Sequence, residues 1–189
     1  MDLQKVLNKF GIGCDIRIIL DKWSEPHRIY HNLLHLQDLI SQINEDYGNG
    51  ELNQYQRDKL FIVALFHDIL YEPTSEFNEE NSANFFMSLV NEKFDIDIVE
   101  IKQMILDTKN HIPSTPLSEK FINYDMKICE RNIEELTEWE DSIREEFSMF
   151  GNEEYKEGRI IFLEKIINRF PSNMDNILDL MNYVKTKYD

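Results

Sequence analysis

Apolar side chains recur along this chain at the spacing of helix faces. Ile16, Ile19, Leu20 and Trp23 fall on one face, as do Leu33, Leu36, Leu39, Ile40 and Ile43. Tyr47-Gly48-Asn49-Gly50 stops the second of these, because glycine and asparagine favour turns over continued helix. A third helix is predicted over residues 60–70. Asn78 is the expected cap of the next, which carries Ala83, Phe85, Phe86 and Leu89. Asp97 is the expected cap of another through Val99, Ile101, Met104 and Ile105. Pro113 and Pro116 bound a loop. Residues 121–129 and the stripe Trp139, Ile143, Phe147, Phe150 follow, then a break at Gly151-Asn152. Two last helices cover residues 160–167 and 177–184, with Pro171 between them. There is no alternating stretch long enough for a sheet, no internal repeat and no low-complexity linker. The pattern predicts an all-α protein of one domain, residues 1–189, long enough to bury a core.

Polar residues break this pattern at a few informative places. His31 and His35 are four apart, which on a helix puts them on one face about one turn from each other. His67 and Asp68 end the apolar run of residues 60–66, where a polar pair is costly unless it is paired or bound to a metal. Asp125 is a further isolated acid. Histidine and aspartate are ligand types of borderline divalent metals such as manganese, cobalt, iron and zinc. Such an ion with an open position makes a hydroxide nucleophile near neutral pH. A single histidine on an apolar face is ordinarily a core residue with its hydrogen bond satisfied. A pair at this spacing, then His-Asp, then a later aspartate, is more than core packing asks for.

The order His, His-Asp, Asp resembles the HD-domain metal-dependent phosphohydrolases. Locally, Tyr30-His31-Asn32-Leu33-Leu34-His35-Leu36-Gln37-Asp38-Leu39 is similar to the signature of the cyclic-nucleotide phosphodiesterase branch. Further stretches look like the small HD phosphohydrolases of unassigned substrate. They are residues 26–32, 64–71, Asn78-Glu79-Glu80 with Ser82-Ala83, Thr108-Lys109-Asn110-His111, and Gly158-Arg159, together spanning residues 23–169. The resemblance implies an HD-type helical bundle in which His35, His67, Asp68 and Asp125 hold a divalent ion and His31 gives a proton to the leaving oxygen. Arg28-Ile29-Tyr30-His31 also fits the Arg-x-x-His form of the first ligand in other HD proteins. His35 is preferred because its match is longer. Asn123 departs from the pattern, standing where a second acid is expected.

Four cationic or ionisable side chains near these stretches are candidates to contact substrate: Arg28, Lys109, His111 and Arg159. Arginine holds a phosphate through two parallel hydrogen bonds, and lysine as a point charge. Each is also an ordinary partner for the abundant acids, and His111 suits a helix end, where a cation meets the dipole. His111 is further a candidate for a second metal. Glu79 is a candidate general base or a water-holding acid, and equally a favourable acid in a helix first turn.

Composition narrows the function. A net charge of −16 argues against a nucleic-acid polymer as partner, since a phosphate backbone needs a basic surface. It leaves room for a small phosphorylated metabolite, a nucleotide above all, which needs only a local clamp. No segment is apolar enough for a bilayer, and the start lacks the basic-then-apolar form of a signal peptide. Cys14 and Cys129 lack motif spacing and read as reduced thiols of a cytoplasmic protein. Three function classes compete. The first is hydrolysis of a phosphate ester or anhydride by a metal-activated water, with manganese, cobalt, iron, zinc, nickel or magnesium as the ion. The second is a di-iron oxygenase, which asks for one more histidine than His111 between His-Asp and the last Asp. The third is a non-catalytic nucleotide sensor. Oligomeric state is left open.

Overall fold

Helices start where a short polar side chain can take up the amide hydrogens that a first turn leaves unbonded. In this computed structural model, which describes residues 2–91 and 95–188, Asp2, Asp15, Asn32, Asn53, Asp95 and Asn132 all do so. Asn53 and Gln56 form a reciprocal capping box. The described residues are all-helical, without a strand, and one isolated bridge joins Ile12 to Val90. The helices are α1 (Leu3–Lys9), α2 (Ile16–Trp23), α3 (Leu33–Gly48), α4 (Gln54–Phe66), α5 (Asn78–Ser88), α6 (Ile96–Asp107), α7 (Pro116–Asp125), α8 (Ile133–Glu146), α9 (Asn152–Arg169) and α10 (Met174–Lys187). Short 3-10 turns cover Lys127–Glu130 and Pro171–Asn173.

Two predicted caps are displaced. Asp95, two residues earlier than Asp97, caps α6 by accepting from the Asp97 amide. Asn78 lies inside α5, and its side chain instead brackets Glu72, accepting from its amide at 3.0 Å and donating to its carbonyl at 2.9 Å. Glu72 in the preceding loop takes the Asn78 side chain, while Lys59 and Tyr55 of α4 take that of Asp97.

The chain falls into two compact units, Met1–Asp125 and Met126–Asp189. In the first, α4 is the central helix. Every residue from 58 to 66 is buried, as expected of a helix apolar nearly all round. Around it pack Leu36, Leu39 and Ile43 of α3, Phe86 of α5, Ile101, Met104 and Ile105 of α6, and Phe121 of α7. The second unit holds α8, α9 and α10, with Leu136, Leu163, Leu180 and Val184 buried. No helix among the described residues is long and apolar enough to cross a membrane.

Candidate metal centre

His67 stands immediately after α4, whose helical hydrogen bonding it continues by donating its amide to the Val63 carbonyl at 2.8 Å. Its Nδ1 lies 3.1 Å from the Ala64 carbonyl. A carbonyl only accepts, so Nδ1 carries the hydrogen and Nε2 of the neutral ring carries the free lone pair. That Nε2 is buried, completes no well-directed hydrogen bond, and lies 3.2 Å from Asp68 Oδ2 and 3.5 Å from Asp125 Oδ1. Buried polar atoms are rarely left so.

His35 comes from the first turn of α3. Asn32 caps that helix by accepting from Leu34, and this fixes the turn on which His35 sits. Asp125 is the last residue of α7, and a polar network fastens that end of α7 to α3. Lys120 reaches Asp46 at 2.7 Å, Tyr124 donates its hydroxyl to the same carboxylate, and Gln42 donates to the Tyr124 carbonyl at 3.2 Å. The result places Asp125 Oδ1 3.1 Å from His35 Nε2.

One donor atom from each of His35, His67 and Asp68 lies within 4.8 Å of the others, and Asp125 closes the group from the side of both histidines. Ligands held at about 2.1 Å around one ion sit roughly 3.0–3.4 Å apart at octahedral or tetrahedral angles; the His35–Asp125 and His67–Asp68 separations, 3.1 Å and 3.2 Å, lie in that range, and His67–Asp125 at 3.5 Å lies just outside it. A buried imidazole nitrogen without a well-directed hydrogen bond and two carboxylates fit a divalent cation of the kind that nitrogen and oxygen ligands select. Both imidazoles are buried, while the Asp68 and Asp125 side chains are 15% and 13% exposed, so the cluster meets solvent on its carboxylate side.

The electrostatics ask for positive charge. Burial disfavours a charged His67, yet Asp68 and Asp125 outweigh it and raise the imidazole well above its ordinary range. Burial likewise opposes ionised Asp68 and Asp125. The neighbouring imidazoles reverse this and hold both carboxyls below theirs, with His67 acting on Asp68, and His35 and His67 on Asp125. Without a metal, a proton on His67 supplies the cation.

His31 lies before α3, not on it, because Asn32 caps the helix one residue later. Its ring is still 5.9 Å from that of His35 and 4.5 Å from that of Tyr71. Asp38, which completes the local signature, points from α3 into solvent. His111 follows α6 with a positive φ of 54°, a conformation uncommon outside glycine, and its Nε2 lies 4.0 Å from Asp125 Oδ2. Glu79 sits in the first turn of α5. Burial and the charge of Asp68 push its carboxyl up, against the pull of its own amide.

The expected phosphate clamps are placed differently. Arg28 has a fully buried side chain. Its Nη1 donates to the carbonyls of His31 at 3.1 Å and Asp68 at 2.8 Å, and its Nη2 to that of Ile69 at 3.1 Å. Its fork therefore ties the His31 loop to the Asp68 loop and does not face a substrate. Lys109 Nζ bonds Glu80 at 2.5 Å and the Glu76 carbonyl at 2.7 Å. Arg159 lies in the second unit, buried, with its Nε 2.5 Å from Glu140 and its guanidinium 4.1 Å from the Trp139 ring centroid.

Two supporting residues are not singled out by the sequence pattern. Trp23, anchored by its Nε1 to the Leu65 carbonyl at 3.0 Å, lies against the His35 and His67 imidazoles, with ring separations of 6.2 Å and 5.5 Å. Asp107 is buried and accepts from Ser114 and Ser118 hydroxyls at 2.6 Å and 2.5 Å, closing the loop that carries His111 onto the start of α7. Comparison with family models, with curated proteins and with solved structures gives no match.

Proposed function

We propose that this protein is a metal-dependent phosphohydrolase of the HD type, acting on a phosphate ester or anhydride of a small nucleotide-like metabolite. The observation that carries the reading is the buried Nε2 of His67, which completes no well-directed hydrogen bond, facing Asp68 and Asp125 beside His35. A divalent ion held by these four residues would acidify a coordinated water and draw charge from a phosphoryl oxygen. The chain's own residues do the rest. Glu79 accepts the proton of the attacking water as its oxygen bonds to phosphorus. The ester oxygen departs with the bonding pair, and His31 protonates it. Arg28 keeps the acid and ligand loops in register through its three main-chain bonds. The net charge of −16 supports a small substrate over a nucleic-acid polymer. Cys14 and Cys129 as thiols suit a reducing, cytoplasmic setting.

The test is a phosphate-release screen of purified protein over a nucleotide panel, repeated with manganese, cobalt, magnesium, nickel and zinc. Turnover should depend on metal and vanish in His67→Ala. Oxygen consumption with bound iron and no phosphate release would replace the hydrolase reading by an oxygenase one.

A further inference from the structure

Beside the centre runs an open groove of about 410 Å³, lined by Ser75, Glu76, Phe77, Glu79, Lys109 and Asn110. Several ties set it against the candidate ligands. The Ser82 hydroxyl bonds both the amide and the carbonyl of Leu70, at 3.1 Å and 3.2 Å, and Asn78 brackets Glu72, so the start of α5 is fastened to the loop after Asp68. On the other wall, Asn110 precedes His111, whose Nε2 lies 4.0 Å from Asp125. Glu79 lines the groove from the first turn of α5, and the charge of Asp68 is among the causes that push its carboxyl up.

The groove's chemistry is specific. Phe77 is 60% exposed, a large ring left to water at a loop–helix junction, and covering it with a ligand would be favourable. Lys109 Nζ sits 5.5 Å from the ring centroid but is already matched by the Glu80 carboxylate and the Glu76 carbonyl. The remaining charged groups of the wall, Glu76 and Glu79, are acids. An anionic group lying here would meet like charge, whereas a flat ring with hydrogen-bond donors would meet an aromatic face, a carboxylate and the exposed amide of Asn110.

We propose that this groove is a substrate subsite beside the metal centre, and that it takes a planar, uncharged heterocycle stacked on Phe77 with its edge toward Glu76 and Asn110. The inference rests on the hydrolase reading of the same site and narrows it: the substrate carries its phosphoryl charge at the centre and none in the groove. A nucleoside bearing one phosphate fits, and a polyphosphate chain laid along Lys109 does not.

The test uses the full chain after chelation, titrated with adenosine, guanosine, cytidine or uridine, and separately with ATP, by calorimetry and by NMR of the aromatic side chains. At least one nucleoside should bind, perturb the Phe77 ring and change little with added salt. Phe77→Ala should weaken that binding by about 5- to 100-fold, the usual worth of base–aromatic stacking, and Phe77→Tyr should restore it. ATP should bind no tighter than the nucleoside. No nucleoside binding, binding indifferent to Phe77→Ala, or ATP binding tighter in a Lys109-dependent way would each overturn the proposal. Hydrolysis of 4-nitrophenyl phosphate by the metal-loaded protein separates the two readings. Its absence, with Phe77-dependent nucleoside binding intact, defeats the hydrolase and spares the groove. Its presence without such binding does the reverse.

Discussion

Each compact unit buries acid, and the two do so in opposite ways. In the second, Glu140 is fully buried, its Oε2 accepting from Arg159 at 2.5 Å and its Oε1 from the Tyr155 hydroxyl at 2.7 Å. In the first, Asp125 faces imidazoles: His35 at 3.1 Å, His67 at 3.5 Å and His111 at 4.0 Å. A guanidinium is charged at every pH a folded protein meets, so the Glu140 site carries its own permanent counter-ion. An imidazole is a cation only when protonated, and once neutral it offers a lone pair. On the proposed reading the first cluster exchanges its proton for a metal ion, and the guanidinium of the second has no lone pair to offer one. A buried acid facing arginine holds a fold together. A buried acid facing histidines is equipped for chemistry.

The contrast breaks most visibly at the ligands. His35→Ala and His67→Ala should each lose bound metal and nearly all activity while the protein stays folded. His31→Ala should keep its metal and lose turnover by about 10²–10⁴-fold, the usual worth of a positioned acid. That loss should shrink for a nitrophenyl ester, whose leaving group needs no proton. Metal loss from His31→Ala with retention in His35→Ala would exchange the two roles.

In the second unit the expected effect is on stability. Arg159→Ala strands Glu140 without its cation, and breaking a buried pair in this way costs about 3–5 kcal/mol. A thermal melt should drop sharply while metal affinity of the folded fraction is unchanged. Selective loss of turnover with an unchanged melt would instead put Arg159 on the substrate.

Arg28→Lys keeps the charge and loses the fork. Metal affinity measured by calorimetry should fall about 10- to 100-fold, as for other groups that orient ligands, with KM changing less than kcat. A rise in KM alone would mean that Arg28 binds substrate directly. Metal affinity in the parent protein should also rise with pH. The pKa of His67 is raised, so below it the bound proton competes with the ion, and that competition fades as pH climbs through it.

The smallest effect concerns Asp107. Burial works against its charge, but bonds from Ser114, Ser118 and Gln103 hold the carboxyl below its ordinary range. A lowered carboxyl stabilises the fold above its unfolded pKa, and that contribution is lost as pH falls through the folded value. Asp107→Asn should therefore cost about 1–3 kcal/mol near neutral pH and flatten the acid limb of a melting-temperature profile.

The helical fold is legible because apolar spacing dictates it, and α2 and α3 begin or end close to where the spacing and turn residues put them, whereas α4 runs Gln54–Phe66, earlier at both ends than the predicted residues 60–70. The four candidate ligands are legible because a metal limits the residue types that can serve it. Roles that one side chain can play in two ways are not. An arginine near a histidine motif reads alike whether it grips phosphate or three carbonyls, and only the path of the loops after His31 and Asp68 decides for Arg28. Asp107 reads as a surface acid at a helix end until the loop folds Ser114 and Ser118 onto it. Asn78 and Asp97 have cap chemistry, yet tertiary partners take both: Glu72 for the first, Lys59 at 2.7 Å for the second. The division at Asp125 and Met126 leaves no mark in composition, since it falls where one helix ends and a 3-10 turn follows with no glycine or proline.

The central claim is that His35, His67, Asp68 and Asp125 are a cation site and not a self-contained polar cluster. It is tested most directly by titrating the chelated protein with manganese and with zinc in a calorimeter, alongside His67→Ala. The parent protein should bind the ion stoichiometrically and melt at a higher temperature with it, and His67→Ala should do neither. Binding of equal strength in both proteins, or none in either, would contradict that claim.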